Sequence, residues 1–143
     1  MRIMGLDYGS KTVGVALSDP LFITAGGYEI IRREREDKLR RTYARLLEII
    51  RENDVGEIVC GLPLNMDDTE GERAKKSREF AEGLTKRCGL PVTLFDERLS
   101  TVEAVTVMDE AGVKSADRGK YVDSIAAAVI LRDYLNARAA GKV

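Results

Sequence analysis

The sequence predicts an α/β fold: a mixed five-stranded sheet, formed by a three-stranded antiparallel meander and two parallel strands, with helices on both faces. Three observations predict it. Two short apolar runs, 2–8 and 12–18, are joined by Tyr8-Gly9-Ser10-Lys11, which is hairpin turn chemistry. From about residue 36 the apolar period lengthens to that of a helix. Thereafter helical segments alternate with short apolar runs, the pattern of right-handed crossovers between parallel strands.

Taken in order, a third strand is expected over 23–31, after a loop opened by Asp19-Pro20. Over 36–53, Leu39, Tyr43, Leu46, Leu47 and Ile50 share one helical face, while Arg40, Arg41, Arg45 and Glu48 fall elsewhere. A short buried strand follows over 57–61 and Pro63 stops it. The polar stretch 65–71 leads into a second helix, about 71–87, with Ala74, Phe80, Ala81 and Leu84 as its apolar positions. Pro91 and Val92-Thr93-Leu94-Phe95 make a fifth strand, which ends abruptly in Asp96-Glu97-Arg98. Helices over about 101–111 and 118–138 complete the order β-β-β-α-β-α-β-α-α. No repeat, linker or low-complexity segment interrupts it, so 1–143 reads as a single domain.

At 143 residues such a domain buries roughly 70% of its unfolded surface, enough for its own core. The formal charge of −1 gives no overall basic character, so attraction to a polyanion would need a local basic face or bound metal. There is no histidine, which excludes Ser-His-Asp and Cys-His catalysis and any histidine-containing zinc site. Cys60 and Cys88 lack metal-ligand spacing and read as free thiols in a reducing compartment. Neither a signal peptide nor a bilayer-spanning run is visible, which gives a cytoplasmic expectation and no membrane partner.

Acid–base or metal chemistry must therefore run on carboxylates, lysines or tyrosines. Ligands in open α/β sheets bind beyond the carboxyl ends of the parallel strands. The first strand ends at Asp7, the fourth at Gly61 and the fifth at Asp96-Glu97. Two strand ends thus deliver acids to one sheet edge, with a glycine and a loop between them. Asp7 follows Ile3-Met4-Gly5-Leu6 in an expected central strand, where an unpaired charge is costly; it reads as a metal or phosphate residue, or as a turn-forming acid. Glu97 lies between a strand and a helix opened by the capping-box pair Ser100 and Glu103. Asp96 reads equally as a ligand or as a support for Arg98. Asp123 shares a helical face with Ala127, Ile130 and Tyr134 and either faces an ion or answers the helix dipole. Three such carboxylates suit Mg2+ or Mn2+, which take oxygen ligands.

At these residues the chain resembles the YqgF family, also called RuvX, of the ribonuclease H-like superfamily. The resemblance rests on Gly5-Leu6-Asp7-Tyr8-Gly9-Ser10-Lys11 with Gly14-Val15-Ala16, and on Gly61-Leu62-Pro63-Leu64-Asn65-Met66. Asp96-Glu97-Arg98-Leu99-Ser100-Thr101 and Asp123-Ser124-Ile125-Ala126-Ala127 complete it, so it runs from residue 2 to about 135. It implies a ribonuclease H-like fold and a nuclease whose catalytic, metal-binding acids are Asp7, Glu97 and Asp123, with two Mg2+ or Mn2+ ions. The expected substrate is pre-16S rRNA, in structured RNA or ribosomal precursor particles; the alternative is branched DNA, cut by a Holliday junction resolvase. The first is compatible with a monomer and the second requires a homodimer. Asn65 is a candidate for positioning a phosphate; Lys11, Arg98 and Lys120 are candidates for contacting the backbone. The denser basic run of Arg32, Arg33, Arg35, Lys38, Arg40 and Arg41, diluted by Glu34, Glu36 and Asp37, reads as a solvated helix start. Two readings of other classes stay open: a nucleotide-binding domain related to actin and sugar kinases, and a non-catalytic RNA- or protein-binding module.

Overall fold

The apolar alternation of the first two runs builds a hairpin of β1 (Arg2–Tyr8) and β2 (Thr12–Ser18), closed by the Gly9 N–H donating to the Thr12 carbonyl at 2.8 Å. A computed structural model of the chain describes residues 1–64, 67, 69–96 and 118–142, the side chains of 118–124 excepted. The expected helix over 101–111 lies outside the described residues. β3 (Ala25–Arg32), α1 (Arg40–Glu52), β4 (Val55–Leu62), α2 (Glu72–Cys88), β5 (Val92–Asp96) and α3 (Arg118–Ala139) complete the described elements. The sheet order is β3-β2-β1-β4-β5, antiparallel across the meander and parallel from β1 through β4 to β5. The mixed five-stranded sheet is the one the sequence predicts, and β1 is its central strand.

β4 starts at Val55, two residues before the expected 57, whereas β3 and α1 start later than expected, each for a physical reason. β3 begins at Ala25 and not at Ile23, because the Asp19 carboxylate accepts the backbone N–H groups of Leu21, Ile23 and Thr24. Those donors are held in a loop, and Ile23 stays 71% exposed. α1 begins at Arg40 and not near residue 36, because Glu36 is engaged on both its groups. Its carbonyl accepts from Arg33 Nε and its carboxylate pairs with Arg73 of α2.

Alternation along β1 divides the core in two. Met4, Leu6 and Tyr8 face α1 and α2 and pack with Tyr43, Leu46, Phe80 and Leu84. Ile3, with Ala16 and Val59, faces α3 and packs with Ala127, Ile130, Leu131 and Tyr134. Helices therefore cover both faces, and all four apolar positions expected of α2 are buried. Among the described residues no helix is long and apolar enough to cross a membrane.

Candidate functional site

Asp7 occupies the last but one position of β1 and is half-buried. Strand alternation puts it on the α3 face, two residues beyond Gly5. In register it stands opposite Gly14 of β2, and one step beyond the last registered pair with β4, Leu6 with Cys60, it stands beside Gly61. Both flanking strands thus present a residue without a side chain next to the carboxylate.

α3 runs antiparallel to β1 across this face. Near its C-terminal end the Tyr134 hydroxyl donates to the Glu57 carboxylate, and Glu57 stands opposite Ile3 at the start of β1. Further back along the helix, the Ala127 carbonyl and Leu131 lie against Gly5. Asp123 is one turn before Ala127, about 6 Å along the axis at 1.5 Å per residue. Asp7 lies about 6.6 Å beyond Gly5 at 3.3 Å per residue. The backbone of Asp123 therefore comes to the Asp7 end of the sheet. The side chains of Asp123 and Lys120 are not among those described; Glu97, Asn65 and Arg98 lie outside the described residues.

Asp96 closes β5 and is exposed. Its neighbour Phe95 packs edge-on against Tyr134 of α3, with ring centroids 5.7 Å apart, whereas Val92 and Leu94 join the α1–α2 core. Alternation therefore gives Asp96 the α1–α2 face, opposite to that of Asp7, which favours a supporting role over a shared ligand set.

Lys11 is exposed in the hairpin turn, and its carbonyl accepts the Arg33 N–H at 2.8 Å. In the basic run, Arg32, Arg35, Lys38, Arg40 and Arg41 are exposed as expected of a solvated segment. Arg33 is not. It is half-buried, its guanidinium lies 4.8 Å from the centroid of the Tyr8 ring, and Nη2 donates to the Gly9 carbonyl at 2.6 Å. Arg73 of α2 lies over the same ring at 5.6 Å. Sequence reasoning missed both residues, because their setting depends on Tyr8 meeting side chains from two distant elements.

A hard cation takes oxygen donors and keeps several waters. A half-buried carboxylate beside Gly14 and Gly61, positions that bring no side chain of their own, fits such an ion. Among the described residues no group of three His, Cys, Asp or Glu side chains encloses a metal.

A family profile described as "RuvX: Holliday junction resolvase" matches residues 1–137. A protein of Lachnospira eligens named "Putative pre-16S rRNA nuclease" is 59% identical over 96% of this chain and 99% of its own length. One of the same name from Listeria monocytogenes is 49% identical over 95% and 98%. Among solved structures, Thermus thermophilus RuvC in complex with a Holliday junction substrate superposes with a TM-score of 0.60 at 18% identity, covering 99% of this chain and 97% of that one. The fowlpox virus Holliday junction resolvase gives 0.57 at 18% identity, covering 96% and 99%. These structural likenesses establish the ribonuclease H-like fold of the RuvC-type resolvases. The match of nearly the whole chain to the profile, together with relatives at this identity, places it in the RuvX (YqgF) family.

Proposed function

We propose that this chain is a metal-dependent nuclease that hydrolyses phosphodiester bonds in pre-16S rRNA during maturation of its 5′ end, working as one catalytic domain over 1–143. The observation that carries the reading is the setting of Asp7: a half-buried carboxylate at the carboxyl end of the central strand, between two glycine positions, with the N-terminal part of α3 alongside. The near full-length likeness to proteins named for pre-16S rRNA supports the choice of substrate.

In this reading Asp7, Glu97 and Asp123 are the catalytic carboxylates and hold two Mg2+ or Mn2+ ions. Such ions, when bound, lower the pKa of a water and stabilise the charge on the leaving oxygen. Asp7 supplies a fixed anionic oxygen, since its backbone is paired within the central strand of the sheet. Lys11, Asn65, Arg98 and Lys120 contact the substrate, the cations neutralising backbone phosphates. With no histidine present, protons leave through carboxylates, lysine, tyrosine or solvent. The protein works in the cytoplasm on ribosomal precursor particles.

The description of the family profile favours a second reading, resolution of branched DNA. A resolvase makes paired cuts and requires a symmetric dimer. One assay separates the two. A precursor ribosomal RNA fragment and a four-way DNA junction are incubated with Mg2+ and with Mn2+, beside the Asp7→Asn protein. RNA cleavage that disappears in Asp7→Asn is the expected result. Selective junction cleavage supports the resolvase, and no cutting of either with metal binding absent leaves a binding module.

A further inference from the structure

We propose that Arg33 and Arg73 form an oxyanion subsite that takes a nucleic-acid phosphate on the face of β1 opposite Asp7. Among the described residues, the buried side-chain nitrogen and oxygen atoms without a hydrogen-bond partner are Arg33 Nη1, Arg73 Nη2 and Ser77 Oγ. Folded proteins rarely leave such groups unpaired, and least of all cationic ones. Two of the three belong to guanidiniums that converge from separate elements on one ring, Tyr8. Both are also fastened to residue 36, Arg33 through its carbonyl and Arg73 through its carboxylate. Ser77 follows Arg73 by one turn of α2, and Phe80 in the next turn stacks on Tyr8 with centroids 4.4 Å apart.

The charges leave an anion as the missing partner. Arg33 donates to the carbonyls of Gly9 and Glu36, and among the described residues it forms no ion pair with a carboxylate. Glu36 is committed to Arg73, and Asp37 lies 3.7 Å from Arg35. The cleft beside Tyr8 adds one further acid, Glu79, against Lys76. Two guanidiniums with spare N–H groups, held in place by stacking on an aromatic ring, are suited to a tetrahedral oxyanion. Tyr8 follows Asp7, so a strand crossing this edge of the sheet meets the carboxylate on one face of β1 and the guanidiniums on the other. Phosphate contacts of this kind fix register without reading sequence. That the phosphate belongs to a nucleic acid rests on the nuclease reading; the unpartnered donors do not.

The test is fluorescence anisotropy in EDTA with a labelled single-stranded RNA, bearing either a 5′-hydroxyl or a 5′-phosphate. Arg33→Gln and Arg73→Gln are each expected to weaken binding by about five- to tenfold and to reduce the salt slope by about one. Arg51→Gln, an exposed cation in the last turn of α1 at the far end, is the control and is expected to bind as the wild type. Equal losses on both RNAs assign an internal phosphodiester; a loss confined to the 5′-phosphorylated RNA assigns a terminal phosphate. Wild-type affinity and slope in folded Arg33→Gln and Arg73→Gln, or an equal loss in Arg51→Gln, overturn the subsite. Should Arg33→Gln not fold, Arg73→Gln carries the test, its side chain being 42% exposed, with competition by inorganic pyrophosphate as the second measurement. Arginine-dependent binding without metal-dependent cleavage removes only the nuclease reading, and cleavage without arginine dependence removes only the subsite.

Discussion

A methyl group on Gly5 would lie 2.8 Å from Cβ of Leu131 and 3.1 Å from the carbonyl oxygen of Ala127. The central strand therefore brings no side chain of its own to this contact, and its place is taken by Leu131 and the Ala127 carbonyl of α3. The neighbours are backbone and a buried Cβ, which have little freedom to yield. Gly5→Ala is expected to destabilise the fold by about 1–3 kcal/mol, as overpacking a close contact does. Cleavage should also fall, because α3 is displaced from β1. Thermal denaturation checks the first effect, and an unchanged melting temperature would mean that the helix slides freely.

Asp7→Asn keeps the size and shape of the side chain while removing its charge. Disturbing groups that merely support a metal ligand lowers affinity or activity by about 10–100-fold, so loss of a ligand charge should cost at least about 100-fold in cleavage. Far-ultraviolet circular dichroism should remain that of the wild type. Full activity in Asp7→Asn would remove Asp7 from the catalytic set.

Much of this arrangement was legible from residue order, and the legible part is the local part. The run up to Asp7, the turn at Gly9-Ser10 and the apolar positions of α2 follow from alternation and helical spacing, which neighbouring residues determine. Asp7 stood out because an acid closing an apolar strand is unusual wherever the strand sits. The late start of α1 was not legible, since it depends on Glu36 meeting Arg73, 37 residues away. Arg33 shows the same limit. In the sequence it is one of six cations in a run, and only the approach of Tyr8 and the Gly9 carbonyl distinguishes it.

The pH dependence of stability should be lopsided. Burial raises the pKa of Tyr8, Tyr43 and Tyr134 above the usual tyrosine value of about 10, and the hydrogen bond from Tyr134 to Glu57 adds to the effect. A folded-state value above the unfolded one means the contribution is complete below about pH 10. It is lost as pH rises through the raised values, because the unfolded chain releases those protons first. Glu29 runs the other way: hydrogen bonds from Arg45 lower its pKa, so its contribution is lost as pH falls below the usual glutamate range. That contribution is small, since both partners are about one-third exposed. Melting temperature against pH should therefore fall steeply above about pH 10, and Tyr134→Phe should flatten that limb. A curve that stays level while phenolate absorbance rises would contradict the linkage.

Gly83 sets two known effects against each other. It lies in the interior of α2, where alanine is favoured over glycine by about 0.8–1.0 kcal/mol. A Cβ at this position, however, would collide with the hydroxyl oxygen of Tyr43 and lie 3.0 Å from its Cζ. Tyr43 has little room to move. Its ring is buried, stacks on Phe80 at 5.4 Å and lies beneath the Arg87 guanidinium at 4.1 Å, and its hydroxyl donates to the Phe80 carbonyl at 3.1 Å. Overpacking costs about 1–3 kcal/mol, which exceeds the gain in helix propensity, so Gly83→Ala should be net destabilising in urea denaturation. Tyr43→Phe alone should cost about 0.5–1.5 kcal/mol through the lost hydrogen bond. In the double variant the collision with the hydroxyl is gone, only the tight approach to Cζ at 3.0 Å remains, and part of the helix propensity gain is recovered. The double variant should therefore be more stable than the sum of the single changes allows, by an interaction energy of about 0.5–3 kcal/mol. Strict additivity would mean that the collision is relieved by movement of α2 rather than resisted by Tyr43.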